Sequence, residues 1–312
     1  MKAITIQHEG SFEQLRYEEV PDPQINDNQL LIKIYATSVN HLDIKKAGGS
    51  KHGMPSITFP WIPGHDFAGI VEKTGRNISS FREGDKVYGN CQGGSYAEYL
   101  AVDPDKTVKM PENLDFIRAA SVPHVGETAW QAVYEHGQVK KGDKILVHGA
   151  AGGVGAYAVQ FAHNAGATVY ATASARDIDF VKSLGADRVI DYKTEDFTKE
   201  FKDLDVVLSL VGGNTEEKSY QIIRDGGRLV STVGISYQEL ADQYNITAIG
   251  MVIRQSADDL QKITQLINNG KIKTDVAIIY PLQDADTGWK TLSGDPSVPK
   301  IGHGKIVLEI SR

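Results

Sequence analysis

A single cysteine, Cys91, stands among 312 residues. No internal disulfide can form, and no cysteine cluster can hold a structural zinc. No apolar run reaches about 18 residues, the length a membrane-spanning helix requires. The opening Met1-Lys2-Ala3-Ile4-Thr5-Ile6 lacks the apolar core of a secretory leader and reads as a strand, so cytoplasmic residence is expected. Positive charge is also short: 33 Lys and Arg against 40 Asp and Glu leave a net charge of −7. A general nucleic-acid binder would carry a basic face or stripe. Repeats and low-complexity segments are missing too. What remains is a chain of ordinary globular composition, long enough for two buried cores.

The first hundred-odd residues are short strand-like runs broken by Gly, Pro, Asn and Asp: Leu30 to Tyr35, Asp66 to Glu72, Lys86 to Tyr88, Ser95 to Val102 and Thr107 to Met110. Period-two runs with such breaks predict a compact barrel or sandwich. Near Asn113 the texture changes. Helical patterns at Asp115 to Ser121 and Glu127 to His136 lead into alternating strands and helices. The strands are Lys144 to His148, Thr168 to Ala173, Arg188 to Ile190, Val206 to Leu210, Arg228 to Val233 and Ile246 to Met251. The helices are Gly155 to Ala165, stopped by Gly166, then Asp177 to Leu184, Glu216 to Ile223 and Asp258 to Ile267. Such alternation specifies a doubly wound parallel sheet. The tail, Val276 to Ile279 and Lys305 to Ile310, returns to plain strands and is expected to complete the first domain. The expected division is therefore 1–121 with 274–312, and 122–273.

The strongest chemical signal lies at the first strand-to-helix turn of the alternating region, Val147-His148-Gly149-Ala150-Ala151-Gly152-Gly153-Val154-Gly155. A strand running into a glycine-dense turn that opens a helix is the context of a dinucleotide site. Gly152 lets backbone approach a pyrophosphate, and Gly155 lets the helix pack against the strand. First-turn amides and the helix dipole then face the phosphates. Ala150 replaces the first glycine of the strict pattern. The bland alternative is a structural turn.

Cofactor choice is read at the end of the second strand, where an NAD site places a carboxylate. Here the residues are Ala173-Ser174-Ala175-Arg176. Ser174 and Arg176 suit a 2′-phosphate, which favours NADP(H). Asp177 argues the other way unless it caps the following helix, and Arg176 reads equally as a solvated surface side chain.

Segments spread over the whole chain resemble the medium-chain dehydrogenase/reductase superfamily, in its zinc-independent quinone oxidoreductase branch. They are Val39-Asn40-His41-Leu42-Asp43, Pro63-Gly64-His65-Asp66-Phe67-Ala68-Gly69, Glu83 to Gly89, Gly94 to Tyr99, Gly149 to Gly155, Leu184-Gly185-Ala186-Asp187 and Gly304-Lys305-Ile306-Val307-Leu308. The resemblance implies an α/β fold in which a Rossmann domain is inserted into a GroES-like catalytic domain. By position it puts Thr128 near the cofactor's phosphates or nicotinamide and Tyr192 beside the adenine ribose and its phosphate; Thr128 reads alternatively as an ordinary residue near a helix start and Tyr192 as a half-buried strand-end aromatic. Val211, Gly212, Val233 and Gly234 would lie along the nicotinamide. It also implies a homodimer formed through the edge strand near Ile246 to Met251.

Where zinc-dependent relatives have their first cysteine ligand, this chain has Asn40, and Leu42 stands where a hydroxyl would relay the alcohol proton. His65 matches the histidine ligand, and His124 falls near the third. Asn is a poor zinc ligand, so no metal is expected. A site of Asp43, His65 and His124 is the minority reading. Without a Lewis acid, hydride transfer to a quinone or to an enone carbon is the natural chemistry. Asn40 is then expected to donate to the developing oxyanion or to the nicotinamide, Asp43 to hold the geometry of Asn40 or of neighbouring backbone, and His65 or water to supply the proton. Asn40 and Asp43 read alternatively as an Asx turn. Trp61, His124, Met251 and Ile253 are candidate contacts for a flat apolar substrate, with Trp61 alternatively plain core. The Lys45 to Ser56 loop, with Gly48, Gly49 and Gly53, reads as a mobile lid. Two other classes stay open: a zinc-dependent alcohol dehydrogenase with unusual ligands, and a non-catalytic NADPH-binding module acting as a redox sensor or with RNA.

Overall fold

The computed structural model describes residues 1–10, 12–49 and 57–310. The chain divides into two compact units. One comprises Met1–His124, Gln255–Asn268 and Thr274–Arg312, and the other Val125–Arg254 with Asn269–Lys273. The helix Ala257–Asn268 thus groups with the first unit, whereas the sequence reading counted it with the second.

In the first unit, the described residues form a seven-stranded sheet. Its path runs Val276–Pro281, Lys305–Glu309, Leu30–Ser38, Asp66–Thr74, Lys86–Asn90 and Thr107–Lys109, with Tyr99–Val102 paired to Leu30–Ser38 off that path. Pairing is antiparallel except between Val276–Pro281 and Lys305–Glu309. Along Leu30–Ser38 the residues Leu30, Ile32, Ile34 and Ala36 are buried in alternation, the pattern of a half-buried strand. They join Ile4, Phe67, Tyr96, Trp289 and Leu308 in one core.

Two helices of this unit were not expected. His41–Ala47 forms because the Asp43 carboxylate, at the third helical position, accepts the Asn40 backbone N–H at 2.8 Å. That is one half of a capping box, and Lys45 and Lys46 in the last turn suit the helix dipole. Ala285–Ser293 lies in the tail that was read as strands only. It buries Ala285 and Trp289 and stops at Gly294, whose φ of 72° is left-handed.

In the second unit the strand order is Arg188–Asp191, Thr168–Ala173, Lys144–Val147, Leu204–Ser209, Ile223–Ser231, Thr247–Gly250. All neighbours are parallel. Numbered along the unit this is 3-2-1-4-5-6, the doubly wound order with its switch point between the first and fourth strands. Thr168–Ala173 was predicted to the residue. The helix Gly153–Asn164 begins two residues earlier than expected, and Gly166 follows it at φ 80°. The helix expected from Glu127 starts at Pro123 and passes at Gln131 into a π-helical segment ending at His136. Among the described residues no helix is long and apolar enough to cross a membrane.

Candidate functional site

The first unit buries a chain of charged and polar side chains around residues 38–43, 65–66, 96, 124 and 305. Asn40 is 3% exposed and its amide is fully engaged. Asn40 Nδ2 donates to Asp66 Oδ2 at 2.8 Å, and Asn40 Oδ1 accepts from Lys305 Nζ at 2.6 Å. Lys305 Nζ also donates to the Val39 carbonyl at 2.7 Å. Asp66 accepts further from Ser38 Oγ at 2.5 Å and from the His124 backbone N–H at 2.7 Å. Burial pushes the Asp66 carboxyl up, opposed by Lys305 and these donors. Burial pulls the Lys305 ammonium down, opposed by Asp66 and Asp43.

Asp43 is the second hub. Its Oδ1 lies 2.5 Å from His65 Nδ1, while Oδ2 accepts from the Asn40 backbone and from Tyr96 Oη at 3.1 Å. Trp289 Nε1 in turn donates to Tyr96 Oη at 3.3 Å. A carboxylate at Nδ1 fixes the His65 tautomer, so Nδ1 carries the proton. His65 Nε2 is buried without a hydrogen-bond partner. The His124 ring lies 6.1 Å from the His65 ring, centroid to centroid. Burial, with His65, Lys305 and Lys46 adding to it, holds His124 well below the usual imidazole range, so it is neutral. Cys91 has its thiol pushed up to about 12 by burial and is no nucleophile.

Asn40, Asp43, His65 and His124 therefore meet, as the sequence implied. Asn40 differs in role: its amide is committed inward to Asp66 and Lys305, so it is not a free donor for an oxyanion. Trp61 belongs to the core, bridged to Ile6 by paired backbone hydrogen bonds of 2.8 and 2.9 Å. Its alternative reading as plain core is the one its packing supports. Of the Lys45 to Ser56 segment, Lys45 to Ala47 end a helix and Gly48 and Gly49 form a turn. Ser50 to Ser56, including Gly53, lie outside the described residues.

In the second unit the glycine turn has the shape a diphosphate needs. Gly149 sits at φ 69°, and a Cβ at Gly155 would fall 2.3 Å from the Gly149 carbonyl, so that position is closed to side chains. Gly152 differs. Its φ of −74° suits any residue, and a Cβ there would meet protein only at 3.3 Å, from the Gly149 carbonyl. The protein does not itself forbid a side chain at Gly152; a ligand against the exposed backbone would. Ala150 is buried, Ala151, Gly153 and Val154 are half-buried, and the 12-residue helix Gly153–Asn164 presents its first-turn amides there. This turn fits a dinucleotide.

The same carboxyl edge of the sheet carries Tyr192, Val211 and Val233 at 57, 54 and 46% exposure, high for such residues. Val211 and Gly212 follow the fourth strand, and Val233 and Gly234 the fifth. A Cβ on Gly149 would lie 3.1 Å from Val211, and one on Gly212 2.8 Å from Val233, so the three turns crowd together. Thr128 is buried in the helix Pro123–Trp130, Met251 is buried and Ile253 half-buried. At the second strand's end Asp177 is no ordinary cap: its side chain makes no cap bond and instead accepts Ser174 Oγ at 2.6 Å and Arg176 Nε at 3.4 Å. Both candidate phosphate groups thus already face one carboxylate.

Comparison with known proteins agrees with both units. Residues 26–112 match the alcohol dehydrogenase GroES-like domain, and residues 184–308 the zinc-binding dehydrogenase family. The 2-methylene-furan-3-one reductase of Solanum lycopersicum is 36% identical over 287 residues, 88% of this chain and 70% of that one. The chloroplastic NADPH-dependent alkenal/one oxidoreductase of Arabidopsis thaliana is 35% identical, over 88% of this chain and 71% of its own. The chain belongs to the medium-chain dehydrogenase/reductase superfamily. Within it, the chain resembles quinone oxidoreductases and enone reductases. The quinone oxidoreductase structure from Coxiella burnetii superposes with a TM-score of 0.90 at 33% identity, covering 100% of this chain and 99% of that one.

Among the described residues no group of three His, Cys, Asp or Glu side chains is placed to hold a metal ion. The minority site of Asp43, His65 and His124 loses its carboxylate, since both Asp43 oxygens are spent on His65, Tyr96 and Asn40. Asp66, Tyr96 and Lys305 were missed as members of the cluster. The signal for Lys305 was a lysine opening the apolar run Ile306-Val307-Leu308 in the phase of buried Val307; for Asp66 it was a carboxylate beside His65 at a strand start.

Proposed function

We propose that this oxidoreductase uses NADPH to reduce quinones or α,β-unsaturated carbonyl compounds by direct hydride transfer, without zinc. The Asp43–His65 pair carries this reading: a buried imidazole, oriented by a carboxylate, whose Nε2 lacks a protein partner. With Nδ1–H turned to Asp43, Nε2 of the neutral ring is a buried lone pair that costs about 1–3 kcal/mol unsatisfied; taking up a proton from solvent would turn it into a donor that a substrate carbonyl oxygen accepts. His65 would hold that oxygen and deliver a proton from Nε2, with Asp43 steadying the imidazolium. Asn40 is a positioning residue here, linking Asp66 and Lys305. Its place at the usual cysteine position, with its amide engaged, supports zinc independence.

Bound nicotinamide would supply the hydride. The turn from Ala150 to Gly155 would hold the diphosphate, Val211, Gly212, Val233 and Gly234 the nicotinamide end, and Thr128 and Tyr192 the ribose-phosphate portions. Ser174 and Arg176 would take a 2′-phosphate after exchanging Asp177 for it. His124, Met251 and Ile253 remain proposed substrate contacts. The NADPH-dependent alkenal/one relative supports the substrate class. The test is a spectrophotometric panel pairing NADPH and NADH with quinones, enones and alcohols, with and without a chelator. Chelator-resistant NADPH oxidation by quinones or enones is expected. Zinc-dependent alcohol oxidation would overturn the reading.

A further inference from the structure

The second unit buries a carboxylate that this chemistry does not use. Glu216 is fully buried on the helix Asn214–Ser219, which starts directly after Gly212 and Gly213, both at φ 61°. Its Oε1 accepts the backbone N–H groups of Ser236 at 2.9 Å and Tyr237 at 3.3 Å. Those amides belong to the loop that leaves the fifth strand through Val233 and Gly234. One carboxylate therefore ties the turn after the fourth strand to the loop after the fifth.

The surroundings make that tie consequential. A Cβ on Gly212 would come within 2.8 Å of Val233, and one on Gly250 within 3.6 Å of both Ile235 and Gly234, so the loop is seated between two neighbours. The same short helix is held from the other side. His148 Nε2 lies 3.1 Å from Ser219 Oγ, and His148 Nδ1 lies 3.1 Å from Thr172 Oγ1. His148 thus links Thr172 on the second strand to the helix after the fourth, and Glu216 on that same helix reaches the loop after the fifth. In a doubly wound sheet the adenosine half of a dinucleotide lies over the first half of the strands and the other nucleotide over the second. The loop that Glu216 holds is on the second half.

We propose that Glu216 is a positioning residue for the nicotinamide half of the cofactor, fixing Val233 and Gly234 through the Ser236 and Tyr237 amides. This rests on the dinucleotide reading of the glycine turn. It differs from a general structural role in one respect: the adenosine half should not sense it.

The experiment measures the affinity of NADPH and of adenosine 2′,5′-bisphosphate, by fluorescence titration and calorimetry, for the wild-type chain, Glu216→Ala, Glu216→Asp and Glu216→Gln. Glu216→Ala and Glu216→Asp should weaken NADPH roughly tenfold, because the loop loses the acceptor that anchors its Ser236 and Tyr237 amides, and leave adenosine 2′,5′-bisphosphate within about twofold. Glu216→Gln keeps an acceptor oxygen and should restore NADPH binding. Folded alanine and aspartate variants that bind NADPH like wild type would overturn the proposal, as would equal loss of both ligands. Hydrogen exchange on the wild-type chain guards against unfolded variants: the Ser236 and Tyr237 amides should exchange slowly without ligand, and rapid exchange would overturn the proposal. If wild type bound the bisphosphate but not NADPH, the dinucleotide reading itself would fall and take the proposal with it.

Discussion

Removing Lys305 should expose how the buried cluster is balanced. Lys305 supplies the cation nearest Asp66, acting through Asn40 and lying within hydrogen-bond reach of Asn40 Oδ1 and the Val39 carbonyl. Lys305→Met keeps the aliphatic bulk and deletes the charge. Asp66 would then remain buried with hydrogen-bond donors from Ser38, Asn40 and His124 but without its main cationic neighbour. Breaking a buried pair on one side costs about 3–5 kcal/mol. At about 2–4 °C per kcal/mol for a domain of roughly 150–250 residues, the melting temperature of the unit that holds the cluster should fall by roughly 6–20 °C. Asp66→Asn should also destabilise, and the double variant should lose less than the sum by about 1 kcal/mol or more. The sign with pH follows. A carboxyl with a raised folded-state value stabilises below its unfolded value, and that contribution is lost as pH rises through the folded one. Lys305→Met raises Asp66 further, so its deficit against wild type should grow from pH 5.5 to pH 8. Thermal melts of the four proteins at both pH values test this. Additive single effects, or a deficit that shrinks as pH rises, would refute the argued coupling.

Three further outcomes are expected. Gly155→Ala pushes a Cβ to 2.3 Å from the Gly149 carbonyl, so dinucleotide affinity and melting temperature should fall together, whereas Gly152→Ala, with protein only at 3.3 Å, should lose affinity with little change in melting temperature. His148 is pulled down to about 3 by burial; a depressed value means stability is present above the unfolded value of 6.5 and lost below it, by about 1.4 kcal/mol at pH 5.5, and chemical denaturation from pH 7.5 to 5.0 should show that slope in wild type and a shallower one in His148→Asn. His65→Gln should lower turnover by about 10²-fold or more while NADPH affinity stays within about twofold; unchanged turnover would remove His65 from proton delivery.

Much of this was legible in the residues, for identifiable reasons. Central parallel strands are apolar runs between glycine-marked helix ends, so Lys144–Val147 and Thr168–Ala173 were read closely. His41–Ala47 was not, because a seven-residue helix carries little periodicity and is closed by an interaction, Asp43 to the Asn40 N–H, that also reads as a turn. Asn40, Asp43, His65 and His124 were placed together by family resemblance. Lys305 lies 265 residues from Asn40. Only the pairing of Val307 with Ser38 brings it there, and such non-local register is not written in local pattern. The inward turn of the Asn40 amide followed from those unseen partners.

The most direct test uses NADPH deuterated at the transferable position, an enone acceptor and chelator-treated enzyme, with the product analysed by mass spectrometry and NMR. One deuterium at the β-carbon, formed at the untreated rate, is the predicted result. Product without deuterium, or activity lost to the chelator and restored by zinc, would contradict it.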